Sequence, residues 1–464
     1  MYLLRRLLNK INYLNVFTVL LFLGALSLQR LQAQNRPVVQ TKFTADPAPM
    51  VHNGTVYLYT SHDEDDAPEG MGRFLMKEWL LYSSTDMVNW TDHGAVASLK
   101  NFEWTENKEN GAWAPHCIER NGKFYLYCPT PGGTGMGVLV ADSPFGPFKD
   151  PIGKPLVMNS CEDIDPAILI DDDGQAYMYW GNPNLWYAKL NEDMVTISGD
   201  IVKDPLVRKE QGKIDQYHYQ EGPWAYKRNG HYYMAYASTC CPEGIGYAMG
   251  KSAIGPWKFK GHIMQPDRRA SGNHPGIIDY KGKTYMFGFN FLLNFRQTEK
   301  HHERRSVCVA EMKFNPDGTI QELPWWEEGT PIDPVGTLDP YKRTEAETIA
   351  WSEGLKTKSS ASVGVYVTSV HVNDYIRVRE VDFKKGAKSF EVSAASVSGG
   401  KIEIRLGNID GQLLGVCNIN STGGAEIWQT FTTQVKKVKG VHDLYFVFKG
   451  GKGELFNLDY WKFK

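Results

Sequence analysis

Hydrophobic and polar positions along the chain spell one phrase five times. A polar or aromatic residue opens an apolar run, a turn closes it at a glycine, and an aromatic run restarts. The copies are Asp46-PAPMVHN-Gly54-TVYLYT, Trp113-APHCIERN-Gly122-KFYLYC, Asp165-PAILIDDD-Gly174-QAYMYW, Glu221-GPWAYKRN-Gly230-HYYMAY and His274-PGIIDYK-Gly282-KTYMFG. Each opener stands eight or nine residues before its glycine. The apolar runs are too short for helices and rich in aromatic residues, which suits buried strands. Asn53, Asn121, Asp173, Asn229 and Lys281 precede the glycines, where a tight hairpin turn needs residues that tolerate positive φ. Units of about 50 residues with several short strands each predict a β-propeller rather than a simple meander. Five units predict five blades, with Asp46, Trp113, Asp165, Glu221 and His274 around one central opening.

The repeat stops after VCVAEMKFNPDGTIQEL. The stretch 324–343 is rich in Pro and Gly and reads as a connection, with the linker proper expected over 336–343. From Thr344 the pattern changes to short alternating strands such as YIRVREVDF, KIEIRLG and DLYFVFKG. This predicts a β-sandwich of the jelly-roll sort over 344–464. The expected fold class is therefore all-β: a five-bladed propeller over 34–335, then a sandwich.

Composition narrows the partners. The 51 Lys and Arg nearly balance 53 Asp and Glu, and no basic stripe offers a surface for nucleic acid. The aromatic load of 13 Trp, 24 Tyr and 21 Phe exceeds what a core alone needs, and aromatic faces suit sugar rings. Seven Cys lie scattered without metal-ligand spacing. A Cys117–Cys128 bridge is open to them, and the vicinal pair Cys240-Cys241 falls near the predicted opening. At the N-terminus, Arg5, Arg6 and Lys10 precede an apolar stretch from Val16 to Leu28, with Leu31-Gln-Ala33 as a small-residue cleavage site. Residues 1–33 thus read as an export signal, which places the protein in the periplasm or medium without a membrane partner after cleavage. A retained anchor is the competing reading, weakened by Asn12, Asn15 and Thr18.

Three of the five openers, Asp46, Asp165 and Glu221, are carboxylates followed by Pro or Gly-Pro. Proline stiffens the strand entry. Three carboxylates at one mouth cannot all ionise freely, so at least one is held protonated and acid and base roles separate. Such a pair, roughly 6.5–9.5 Å apart, cleaves a glycosidic bond with inversion. Taken singly, each Asp-Pro reads as well as a turn residue or calcium ligand; their common register favours chemistry. Trp113 reads as a wall of a sugar pocket. The insertion from His62 to Trp79 reads as a rim loop, which favours a pocket over an open cleft.

These residues resemble glycoside hydrolase family 43, whose members are five-bladed propellers with an inverting mechanism. The resemblance runs over about residues 40–330, on ADPAP around Asp46, DIDPAILIDDDGQAYMYWG around Asp165, EGPW around Glu221 and NHPGIIDYKGKTY around His274. It implies Asp46 as general base, Glu221 as general acid and Asp165 as the group that raises and orients that acid. His274 would help hold a central calcium, often through water, and Arg305 would reach the pocket. The C-terminal part resembles a family 6 carbohydrate-binding module on TEAETIA, VNDYIRV, EIWQTFTT and FNLDYWKF. That likeness implies Glu345, Glu347 and Asp459 around a structural calcium, and Tyr375, Trp428 and Asn457 around a sugar. The short loop Gly364–His371, and Asn373 where a glycine is usual, depart from the pattern. The implied activity is exo-acting release of α-L-arabinofuranosyl or β-D-xylosyl units from arabinoxylan-type plant cell-wall polysaccharide. A retaining fructan hydrolase and a non-catalytic glycan-binding protein are the competing readings.

Overall fold

The computed structural model describes residues 37–68, 74–131, 135–205, 219–239, 242–269, 273–298, 304–384 and 386–464. The expected export signal and Cys240-Cys241 lie outside these residues. The described chain is almost wholly β, with one six-residue helix, Leu292–Gln297, among the described residues.

Each repeat builds one antiparallel sheet whose strands follow in chain order. The sheets begin with Phe43–His52, His116–Arg120, Ala167–Ile170, Tyr219–Arg228 and Gly276–Tyr280. Each of these first strands touches the first strands on either side of it, the fifth meeting the first, so together they close a ring. Backbone bonds seal the ring where the chain ends meet: Val38 N donates to Val307 O at 2.8 Å, and Thr44 N to Arg305 O at 2.9 Å. Val38, Val39, Leu58, Tyr285 and Phe287 fill the space between the first and last sheets.

Four hairpins turn as the sequence predicts, with both Asn53-Gly54, Asn121-Gly122, Asn229-Gly230 and Lys281-Gly282 at positive φ. The third differs. There Asp171 O accepts the Gly174 N–H at 2.9 Å and only the glycine is left-handed. The additional aspartate makes a three-residue loop of the kind that ends in a single αL glycine. The Cys117–Cys128 bridge does not form: both thiols are free and buried.

The expected linker is not a free tether. Trp325 and Trp326 are buried in the core of the N-terminal sheets. Leu338 N donates to Glu380 O and its carbonyl accepts from Asp382 N, both at 2.9 Å, so the segment runs along the C-terminal module. That module packs two antiparallel sheets around Val378, Phe390, Ile404, Phe446 and Trp461.

The two halves share a sheet. Thr348–Ile349 of the C-terminal module pairs with Trp90–Ser98, completing the first N-terminal sheet. Asn89 exchanges two hydrogen bonds with the Arg379 backbone, at 2.8 and 2.9 Å. Buried Asp92 accepts from Lys42 at 2.6 Å on one side and Thr357 at 2.7 Å from the module. Phe43, Leu293 and Trp351 form an apolar patch across the junction. A chain welded in this way unfolds as one unit, so thermal melts of the full chain should show a single transition. Truncation after Arg343 bares the Trp90–Ser98 edge, an invitation to aggregate. Two resolved transitions in calorimetry, or a soluble monomeric truncation, would contradict this coupling.

Candidate active site

β-Bulges aim two of the openers. The register of the first hairpin slips between Ala45 and Ala48, and that of the fourth between Glu221 and Trp224. Such bulges redirect a side chain out of the pleat. Asp46 and Asp165 sit at φ of 51° and 59°, a costly conformation for non-glycine residues and one that concentrates at functional sites. Gly222, at φ +58°, has no room for a side chain: a Cβ would lie 2.6 Å from the His274 ring. Its N–H instead donates to Asp165 Oδ2 at 3.1 Å.

Asp46, Asp165 and His274 line a small axial cavity, and Glu221 lies beside His274. His274 stands in the middle, with Nδ1 3.4 Å from Asp46 Oδ1 and Nε2 3.7 Å from both Asp165 Oδ2 and Glu221 Oε1. The second repeat keeps the register of the fourth, where Gly222 and Pro223 line the cavity after Glu221. Ala114 and Pro115 line the cavity, while Trp113 is half-buried against the core and accepts the Trp79 indole N–H on its carbonyl at 2.7 Å.

Burial pushes the Asp165 carboxyl up to about 7, with the negative charges of Glu221 and Asp46 adding to it and His274 opposing. The free site thus holds a proton on Asp165 up to about neutral pH. Burial works against the His274 imidazolium, yet Asp165, Asp46 and Glu221 outweigh it and raise the ring to about 10. Both shifts are upward, so both groups favour folding in their protonated forms. The Asp165 contribution is complete below about pH 4 and is lost by about pH 7; that of His274 is complete below about 6.5 and is lost by about 10. In chelator, the melting temperature should therefore fall between pH 6 and 9. His274→Gln should flatten the portion above pH 7. A wild-type profile flat across this window would refute the assignment.

Asp46 has further partners that the repeat logic did not reveal. Ser61 Oγ donates to its Oδ2 at 2.7 Å and Arg305 Nη1 to its Oδ1 at 2.9 Å. Arg305 also grips Asp63 with Nε and Nη2, both at 3.0 Å, and lies under the Phe74 ring at 3.9 Å. It is 2% exposed. Arg305 therefore holds Asp46 rather than presenting a free guanidinium to a ligand. Ser61 and Asp63 alternate along Thr55–Asp63 on the face of the first sheet toward Asp46, a signal readable only once the pairing of that strand is known.

Among the described residues, two groups bring ligand atoms of His and carboxylate side chains within 4.8 Å of one another: Asp165, Glu221 and His274, and His62, Glu64 and Glu78. In the C-terminal module, Glu347 is buried with Oε2 unpartnered, and burial pushes its carboxyl well up, Glu345 and Asp459 contributing by repulsion. Glu345, Glu347 and Asp459 do not form a third such group, though the unpartnered buried oxygen of Glu347 offers the hard-oxygen chemistry that calcium takes. Arg343 spans the other two at present, reaching Glu345 and Asp459 at 2.8 Å each.

The implied sugar trio of the module is not assembled. Tyr375 lies on the sheet facing the junction, against Phe43, Leu293 and Trp351. Trp428 and Asn457 lie on the other sheet, each paired with Ala395. The aromatic partner of Trp428 is Tyr366, edge-on at 5.4 Å, a residue that the motif VNDYIRV led the sequence reading past.

Comparison with known proteins places this geometry. Residues 34–320 match the model of glycosyl hydrolases family 43, and residues 345–464 that of carbohydrate binding module family 6. The chain is 35% identical to the arabinoxylan arabinofuranohydrolase of Bacillus subtilis (strain 168), over 92% of each protein. It is 30% identical to a β-xylosidase of Xylanibacter ruminicola, over 62% of this chain and 98% of that one. A crystal structure of the B. subtilis arabinoxylan arabinofuranohydrolase in complex with cellotetraose superposes with a TM-score of 0.81 at 33% identity, covering 92% of this chain and 97% of that one. The β-xylosidase/α-arabinofuranosidase CoXyl43 from a compost metagenome, in complex with xylotriose and in a calcium-free form, covers 63% of this chain and 98% of its own, at 30% identity and a TM-score of 0.56. The all-β ring with carboxylates at its axis is thus that of a glycosidase, and the chain belongs to glycosyl hydrolases family 43, with a family 6 carbohydrate binding module at its C-terminal end.

Proposed function

We propose that the protein is an inverting, exo-acting glycosidase that releases α-L-arabinofuranosyl units from arabinoxylan-type polysaccharide, on a five-bladed propeller carrying a β-sandwich module. Similarity to arabinoxylan arabinofuranohydrolases over nearly the whole chain supports the substrate. One observation carries the mechanism: the His274 ring stands between Asp46 and Glu221, one nitrogen toward each. A ring's width between the two carboxylates agrees better with the roughly 6.5–9.5 Å spacing of an inverting pair than with the 5–5.5 Å of a retaining one. Asp46, ion-paired to Arg305, takes a proton from water as that water attacks the anomeric carbon. Glu221 gives its proton to the departing glycosidic oxygen, and Asp165 beside it tunes and orients that acid. The products are free arabinose of inverted configuration and the debranched polysaccharide.

Calcium would be held by Glu345, Glu347 and Asp459 in the module, where it would neutralise buried charge. A cation near His274 would supplement the positive charge that the imidazolium supplies to the three carboxylates. Trp428 and Asn457, with Tyr366 in place of Tyr375, are the candidate sugar contacts of the module. The protein is exported, so the mature chain should begin at Gln34 on N-terminal sequencing.

The test is product release from 4-nitrophenyl arabinofuranoside, 4-nitrophenyl xyloside, arabinoxylan, linear arabinan and levan, with the first-formed anomer followed by NMR. Inverted arabinose from arabinoxylan is the expected product. Xylose alone would replace the substrate, and a retained anomer would overturn the mechanism.

A further inference from the structure

A short loop outside the five repeated phrases joins the two acids at the axis. Gly181 N–H donates to Ile164 O at 2.8 Å, next to Asp165, and Tyr219 OH donates to Gly181 O, two residues before Glu221. Asn182 N–H donates to Glu162 O at 3.3 Å, and the Glu162 carboxylate accepts from Asn184 Nδ2 and Trp186 Nε1, both at 2.7 Å. Gly181 cannot be replaced in this turn: its φ is +121°, and a Cβ would sit 2.0 Å from Asn184 O. The loop is thereby fixed to both strand entries, and it carries one side chain into the site. Asn182 Nδ2 donates to Glu221 Oε2. Gln220 Nε2 lies 3.3 Å from Asn182 Oδ1, which sets the amide with its N–H groups toward Glu221.

We propose that Asn182 is a positioning residue for the proton donor, selecting which oxygen of Glu221 carries the transferable proton. A protonated carboxyl has one donor oxygen and one acceptor oxygen. An N–H aimed at Oε2 makes that atom the acceptor, which leaves Oε1, 3.7 Å from His274 Nε2 and beyond hydrogen-bond reach of it, to bear the proton. Once the proton has moved to the glycosidic oxygen, the same N–H stabilises the new carboxylate. One contact thus serves both ends of the transfer, and a carboxylate at position 182 could serve neither. This inference rests on the assignment of Glu221 as the general acid.

The experiment compares Asn182→Asp, Asn182→Ala and Glu221→Gln with wild type on arabinoxylan and 4-nitrophenyl arabinofuranoside. Acid assistance is worth roughly 10²–10⁴ in rate, and a misdirected proton forfeits part of it. Both Asn182 variants should lose about 10–100-fold in kcat/KM on arabinoxylan. On the nitrophenyl substrate they should stay within about threefold, because that leaving group departs without a proton. In Asn182→Ala the alkaline limb of the arabinoxylan profile should move to higher pH, because the ionised carboxylate has lost a donor. Equal losses on both substrates with an unmoved pH profile would reduce Asn182 to a structural loop residue and overturn the inference. Should Glu221→Gln itself lose equally on both substrates while still folded, the assignment of the acid falls first, and the inference falls with it. Melting temperatures of the variants separate all of these outcomes from unfolding.

Discussion

Glu221→Gln lowers kcat/KM on arabinoxylan by about a thousandfold, within the roughly 10²–10⁴ that a positioned acid contributes. Gln keeps the shape of Glu221 and can still contact Asn182, but it has no proton to give to an alkoxide leaving group. The defect therefore depends on that leaving group. With 4-nitrophenyl arabinofuranoside, whose phenolate leaves readily, most of the rate should survive. Steady-state kinetics on the two substrates reads the difference directly. A variant that is folded and equally impaired on both would mean that Glu221 binds sugar rather than protonates oxygen.

Asp46→Asn gives the opposite signature. Water must be deprotonated whatever the leaving group, so both substrates should lose about 10³–10⁴ in kcat/KM. The loss begins at the partners of Asp46. The buried carboxylate takes Arg305 at 2.9 Å and Ser61 at 2.7 Å, which leaves its lone pairs oriented for one more proton. Asn can keep Arg305 on its one oxygen, but its NH2 cannot accept from Ser61, and it is no base. Asp46→Ala with azide and the nitrophenyl substrate offers a second reading, since azide needs no deprotonation. Turnover regained as a glycosyl azide of inverted configuration supports the base role, while silence in azide with substrate binding intact argues against it. Arg305 would be left with Asp63 alone, so melting temperature should be followed beside activity; breaking a buried pair costs about 3–5 kcal/mol.

Much of this was legible before any coordinates, because a repeat carries its own register. Asp46, Asp165, Glu221 and His274 converge as the common phrase implies, since equivalent strand entries of a closed ring face one axis. Trp113 opens its phrase in the same register but brings no titratable group, and it packs half-buried against the core. Pairing partners were the other blind spot. Ser61 and Asp63 lie on the strand after the glycine, so no spacing from an opener marks them. Bulges were invisible too, because a one-residue slip leaves no trace in composition. In the module, Tyr366 and Tyr375 sit on neighbouring strands in the chain but on opposite sheets in space. Choosing between them needed to know which sheet meets the N-terminal half.

The strand Thr348–Ile349 has a consequence for how such a protein is inherited and engineered. Modules joined by flexible tethers can be traded between enzymes as cassettes, but here the border in the sequence and the border in space do not coincide. Two residues counted with the module complete a sheet of the catalytic half, and Thr357 of the module satisfies a carboxylate buried in that half. A chimera cut at residue 344 would take an edge strand away from one parent and bring an ill-fitting one from the other. Viable recombination has to carry Thr348–Ile349, Trp351 and Thr357 together with their hosts Thr91, Asp92 and Phe43. The two halves can then change only in step.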